Sequence, residues 1–352
     1  MSLHEVTGQV APSWDGPSLV GSLDLLVVRS DALAENPLDD PAVRPLYVYR
    51  PPELDGDPGL RLPAVYLLQG FGGRIEEWLE ADGDGLTMIE RLDAMFNGRD
   101  AAPAVIVFID AWTSRGGSQF LNSTSTGRYL DYVCDEVVPF VDDRYPTLGA
   151  REHRGVSGKS SGGYGALVLS MLRPDLFGGL VSHAGDALFE CVYQPLFPTA
   201  ARMLRDQFGG SWDAFERRIE APEFDWRECA ALFAAYGTAC AYTPDPERPG
   251  KALLPFDSLT GSPIEDVWAR WLSLDPVRMA AQHVDALSGM RSIHIDAGRQ
   301  DEFFLDLGAV ALSRELTRLG IEHSLELFDG NHDGVDRRMP AAIAELTRGL
   351  QR

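Results

Sequence analysis

Lysine is almost missing from this chain. Lys159 and Lys251 are the only ones, and arginine supplies the remaining positive charge. Bases are scarce altogether: 31 Lys and Arg stand against 53 Asp and Glu, a formal net charge of -22 over 352 residues. Nucleic acids and anionic membranes are held by basic surfaces, so neither is expected as a partner. The acidity reads as a source of solubility. Cysteine is sparse too. Cys134, Cys191, Cys229 and Cys240 stand too far apart for a metal knuckle, a redox pair or a disulfide framework. No apolar run approaches the ~20 residues that a membrane-spanning helix needs. The opening "MSLHEVTGQVAPSWDGPS" lacks a basic segment followed by an apolar one, so no secretion signal is expected and a soluble, cytoplasmic protein is. Internal repeats and low-complexity tracts are also missing.

What the chain does have is apolar residues, 45% of the total, enough for a large core. Short apolar runs alternate with helical patterns. Strands are expected at 22–30, 45–51, 63–70, 104–110, 153–157, 176–185, 290–298 and 322–330. Helical patterns lie at 77–96 (interrupted by "DGDG"), 129–145, from the Gly-rich turn to about Leu172, between the last two strands, and at the end of the chain. This alternation predicts an α/β fold with a mostly parallel central sheet and helices on both faces. Its site should lie at the carboxyl ends of the strands. Residues 186–289 break the rhythm. They are mainly helical in pattern and rich in aromatic residues, which is too apolar for a solvated linker. The expected organisation is a core of 1–185 and 290–352 with 186–289 inserted as a cap. Phe189, Tyr193, Trp226, Trp268 and Trp271 are its candidates for an apolar wall.

The decapeptide "RGVSGKSSGG" (154–163) joins a strand to a helix. A phosphate-binding loop would need a glycine where His153 stands. A nucleophile elbow needs G-x-S-x-G between strand and helix. Centring on Ser157 or Ser161 fails, because both need glycine at Lys159. Only Ser160 fits, flanked by Gly158 and Gly162. A serine needs a base to take its proton, and in this fold the order along the chain is Ser, acid, His. His4 and His153 precede the serine; His283 lies in a helical pattern, His294 within a strand, and His323 at the wrong end of one. His183 ends a strand near the elbow but precedes every suitable acid, which leaves it a pocket-lining or structurally bonded residue. His332, in the loop "FDGNHDG", remains as the base. In "SIHIDAGRQDEFF", Asp296 belongs to the strand, so Asp301 is the expected acid, with Glu302 as the fallback. An oxyanion hole needs two N–H donors. Ser161 should give one and Phe71, in "LLQGFGG", the other, with Gly70 letting the backbone approach substrate. "DGNHDG" also opens like a calcium loop, but its twelfth position is Pro340 and no helix precedes it, so no metal is expected.

Taken together, "LLQGFGG", "GKSSGGYGAL", "IDAGRQDEFF" and "GNHDG" resemble the esterase D or putative esterase family of α/β-hydrolases, over about 60–185 and 290–345. That family includes S-formylglutathione hydrolases, feruloyl esterases, enterochelin-type trilactone esterases and mycolyltransferases. The resemblance implies a Ser160–His332–Asp301 triad acting on a small-molecule ester through an acyl-enzyme, without a cofactor. From "DAWTSRGGSQFLNS" it implies that Trp112 and Asn122 line the pocket beside Gly70 and His183. An acyltransferase of the mycolyltransferase type and a siderophore trilactone esterase stay open as alternatives, as does a homo-oligomer. Ser161 stands where many members carry methionine or phenylalanine, and the insertion is larger than in compact members.

Overall fold

Runs such as "AVYLL" and "VIVFI" are apolar at every position, the pattern of strands buried on both faces. In the computed structural model, which describes residues 2–6 and 14–351, both are strands with every residue buried. Part of the opening stretch read for a secretion signal, residues 7–13, lies outside the described residues. One sheet holds nine strands: β1 (Leu3–Glu5), β2 (Ser22–Ser30), β3 (Val43–Arg50), β4 (Ala64–Leu68), β5 (Val105–Ile109), β6 (Arg154–Lys159), β7 (Gly179–His183), β8 (Ser292–Gly298) and β9 (Ser324–Phe328). Their order across the sheet is β1-β2-β3-β5-β4-β6-β7-β8-β9. The first three strands pair antiparallel, as does β3 with β5. All pairs from β5 through β9 are parallel. The expected strands all form. β1 is additional, as is a separate antiparallel pairing of Asn122–Ser123 with Gly127–Arg128, and all three are too short to carry a readable pattern.

The helix after the elbow, α2 (Ser161–Leu172), is apolar on every side and buried at all positions but its last. It follows α1 (Met88–Asn97), whose start is fixed by a capping box between Thr87 and Glu90. The "DGDG" interruption separates α1 from a short 3₁₀ turn at Ile75–Leu79. The 129–145 pattern forms a helix with one π-helical stretch, Tyr132–Val137.

Residues 186–289 are mainly helical. Their longest helices, α3 (Leu196–Phe208) and α4 (Ala230–Tyr242), pack on each other, and α5 (Glu265–Leu272) joins them. The aromatic residues here stack among themselves. Phe197 packs edge-on to Trp268, with ring centroids 5.3 Å apart, and Tyr242 stacks on Phe189 at 5.4 Å and meets Trp271 at 5.1 Å. The chain closes with α6 (Leu305–Arg318) between β8 and β9, and α7 (Met339–Leu350). All four cysteines are free.

Candidate active site

The elbow begins with steric necessity. A Cβ on Gly158 would lie 2.4 Å from backbone atoms of Gly162, and one on Gly162 would lie 2.2 Å from the Leu68 carbonyl oxygen. Backbone cannot yield as a flexible side chain can, so both positions demand glycine. Between them Ser160 takes φ 57° and ψ -123°, a strained conformation for a residue with a side chain. Its N–H donates to the His183 carbonyl at 2.9 Å, and its own carbonyl accepts from Tyr164 at the start of α2. The serine side chain is thus held at the top of the sheet, at a helix N-terminus.

His332 sits just past β9, on a short turn capped by the Asn331 side chain. Its Nδ1 bonds to Asp301 Oδ2 at 2.8 Å, and the Asp301 side chain is fully buried. The other oxygen of Asp301 accepts the Phe303 N–H at 2.9 Å, which fixes the carboxylate plane. Glu302, the fallback acid, does a different job. It accepts the His332 backbone N–H and the Asn331 amide, both at 3.1 Å, and so holds the histidine loop and leaves the ring to Asp301. Phe303 packs edge-on against the imidazole at 5.1 Å.

Ser160 and His332 line one cavity of about 480 Å³, together with Gly70, Phe71, Lys159 and Trp226. Lys159 Nζ pairs with Asp336 Oδ2 at 2.7 Å, tying the elbow to the histidine loop. Among the described residues, neither the Phe71 nor the Ser161 N–H donates to a backbone carbonyl. The Phe71 turn is steadied by Gly72 N–H, which reaches the Gly116 carbonyl at 2.6 Å.

Three of the residues expected on the substrate side lie elsewhere. His183 is fully buried in β7, with its Nδ1 between the two oxygens of Asp296 at 2.9 and 3.0 Å, and it does not reach the cavity. Asn122 is exposed, bonds to Asp131 at 2.8 Å, and borders a separate hollow with Asp31 and Arg128. Trp112 lies under the Arg74 guanidinium, 4.0 Å from its ring centre, and borders a water-sized void of about 10 Å³ beside Gly70 and Ser161. Of the candidate wall aromatics, Trp226 alone lines the cavity, while Phe189, Tyr193, Trp268 and Trp271 are buried against one another, with Phe189 also meeting Tyr164 of α2 and Tyr193 bonded to Gln119. Proximity in sequence to a motif does not give side-chain direction, and that is why these placements were unreadable. Gln119, inside "DAWTSRGGSQFLNS" but not singled out by it, and Asp186, which no motif covers, meet beside Ser161.

A mostly parallel sheet with a strained serine between strand and helix, and a His–Asp pair on loops after later strands, defines an α/β-hydrolase. The profile of the putative esterase family matches residues 42–336, and the chain belongs to that family. A ferulic acid esterase structure superposes with a TM-score of 0.59 at 16% identity, covering 94% of this chain and 98% of that one. An S-formylglutathione hydrolase from Agrobacterium tumefaciens superposes at 0.57 and 16%, covering 95% and 98%. In sequence the chain is similar to an endo-1,4-beta-xylanase/feruloyl esterase of Xylanibacter ruminicola, 25% identical over 35% of this chain and 16% of that protein. The chain matches only 38% and 16% of the lengths of two curated relatives. No helix among the described residues is long and apolar enough to cross a membrane.

Proposed function

We propose that the protein hydrolyses carboxylic esters through a Ser160–His332–Asp301 triad and an acyl-enzyme. The observation that carries this reading is the 2.8 Å bond between His332 and the buried Asp301, with the imidazole lining the same cavity as the elbow serine. With Nδ1–H donated to Asp301, Nε2 is the nitrogen left to act as base. Ser160 Oγ attacks the ester carbonyl carbon while Nε2 takes its proton. The carbonyl π electrons move onto oxygen, where the Phe71 and Ser161 N–H groups stabilise the charge. The tetrahedral species collapses, and the imidazolium returns the proton to the departing alcohol. Water then attacks the acyl-enzyme by the same route, which releases the acid and restores Ser160.

The segment 186–289 acts in this reading as a cap that contributes Trp226 to the substrate wall. A cavity of about 480 Å³ is within the range that takes a drug-sized ligand, so bulky or aryl esters should outrun acetate. Each well-buried methylene can add ~0.8 kcal/mol of binding. The test is kcat/KM across acetyl, butyryl and aryl esters, with burst kinetics on an activated ester. Wild type should show a burst followed by turnover in water. Turnover that requires an added alcohol would replace hydrolysis with acyl transfer. A flat profile, unchanged in Trp226→Ala, would remove the cap from substrate selection.

A further inference from the structure

Asp186 stands three residues past β7, buried. Its Oδ2 gathers donors from three separate parts of the chain: Tyr193 Oη at 2.6 Å, Gln119 Nε2 at 3.3 Å and Ser161 Oγ at 3.4 Å. The Gln119 amide also donates to Tyr193 Oη at 3.1 Å and Tyr242 Oη at 3.2 Å, and the two hydroxyls are 3.4 Å apart. One carboxylate therefore ties together the Gln119 loop, the residue following the elbow serine, and two tyrosines of the 186–289 segment. Burial pushes the Asp186 carboxyl up, while the bonds from Tyr193 and Gln119 pull it back. A buried carboxylate is costly, and well-packed apolar side chains often hold such a junction as firmly.

The backbone around the knot is also unusual. Gln119, Phe120, Ser160, Ala184 and Leu188 all have positive φ, between 43° and 58°, and they account for most of the non-glycine residues of that kind among the described residues. Such strain persists only where the surroundings over-determine it, and it gathers at functional sites. Each of the strained segments is anchored to Asp186 or contains it.

We infer that Asp186 is a positioning residue for the reaction: through Ser161 it fixes the elbow-side donor of the oxyanion hole, and through Tyr193 and Gln119 it makes that placement depend on the 186–289 segment. This rests on the reading of Ser160 as nucleophile and Ser161 N–H as oxyanion donor. Asp186→Asn keeps the size of the side chain and removes its charge. With a short aryl ester, kcat should fall about 10- to 100-fold, the range a small misplacement of catalytic groups costs, with KM changed less than about 2-fold because ground-state binding is untouched. Affinity for a trifluoromethyl ketone, which forms an oxyanion on the serine, should fall in proportion to kcat/KM. Affinity for the matching methyl ketone should stay. Tyr193→Phe should act in the same direction with a smaller effect, and it decides the matter if Asp186→Asn does not fold. Native kcat and native trifluoromethyl ketone affinity in either folded variant overturn the inference. Activity surviving in Ser160→Ala would instead overturn the proposed function, so the two failures are distinguishable.

Discussion

At the scale of single residues, Ser157 in β6 and Ser160 in the elbow have different surroundings. Ser157 Oγ is buried in the strand without a partner, whereas Ser160 faces the cavity from a strained turn. Ser160→Ala should cut ester hydrolysis by on the order of 10⁴-fold or more. Ser157→Ala removes no hydrogen bond, so activity should stay within a few-fold of wild type and stability should not fall. A dead Ser157→Ala beside an active Ser160→Ala would place the nucleophile in the wrong register. The base has its own signature. His332→Ala should cut kcat/KM about as far as Ser160→Ala, because the serine proton then has no acceptor. In His183→Asn kcat/KM should stay within about 10-fold of wild type, because His183 bonds to Asp296 inside the sheet and not to the reacting groups. A His183→Asn variant as dead as Ser160→Ala, beside an active His332→Ala, would move the base to β7.

At the scale of elements, the elbow is a place where backbone meets backbone. Gly158→Ala and Gly162→Ala each drive a Cβ into main-chain atoms at 2.4 and 2.2 Å. Each should lower stability by ~1–3 kcal/mol or prevent folding, the range for overpacking, read as the urea midpoint. Gly70→Ala is the contrast. Its added carbon would meet Lys159 and Ser160 at 3.5 Å, an ordinary contact. Folding should be kept while kcat/KM falls, since the methyl stands beside the nucleophile. An unstable Gly70→Ala with a tolerant Gly158→Ala would contradict this account. The same elements explain what could be read from sequence. Parallel strands are buried on both faces and therefore appear as unbroken apolar runs, so the sheet, the elbow between β6 and α2, and the loops carrying Asp301 and His332 were all legible. β1 was too short to pattern. In the 186–289 segment, aromatic richness gave helices but not facing: rings that pack on each other and a ring that meets substrate look alike in sequence. The Asp186 knot was invisible because its members lie far apart in the chain and meet only in three dimensions.

At the scale of the molecule, charge governs the response to solvent. Burial raises the carboxyls of Asp40, Asp110, Asp186 and Asp275 above the ordinary value. The folded protein therefore binds these protons more readily than the unfolded chain, and stability falls as pH rises through that window. Asp296 runs the other way. Burial would raise it, but the charge and hydrogen bonds of His183 and His294 prevail and hold it well below the carboxylate range. Its contribution is present above the ordinary carboxylate value and is lost as pH falls below about 4. Thermal midpoints should therefore rise as pH is lowered toward the carboxylate range and drop below about pH 4. At pH 8, added salt should raise them by screening the net charge of -22. A midpoint that falls steadily from pH 8 to 5, or drops with salt, would show that surface ion pairs outweigh these terms. The shortage of lysine also bears on handling the protein. Amine-directed dyes and coupling resins find few side chains: Lys251 is engaged with Glu216 at 2.8 Å, and Lys159 lies on the cavity wall, paired with Asp336. Those reagents are mostly activated esters, the bond type this protein is proposed to cleave. Labelling is best done on Ser160→Ala, where a dye that reaches Lys159 becomes a fluorescent reporter at the mouth of the site.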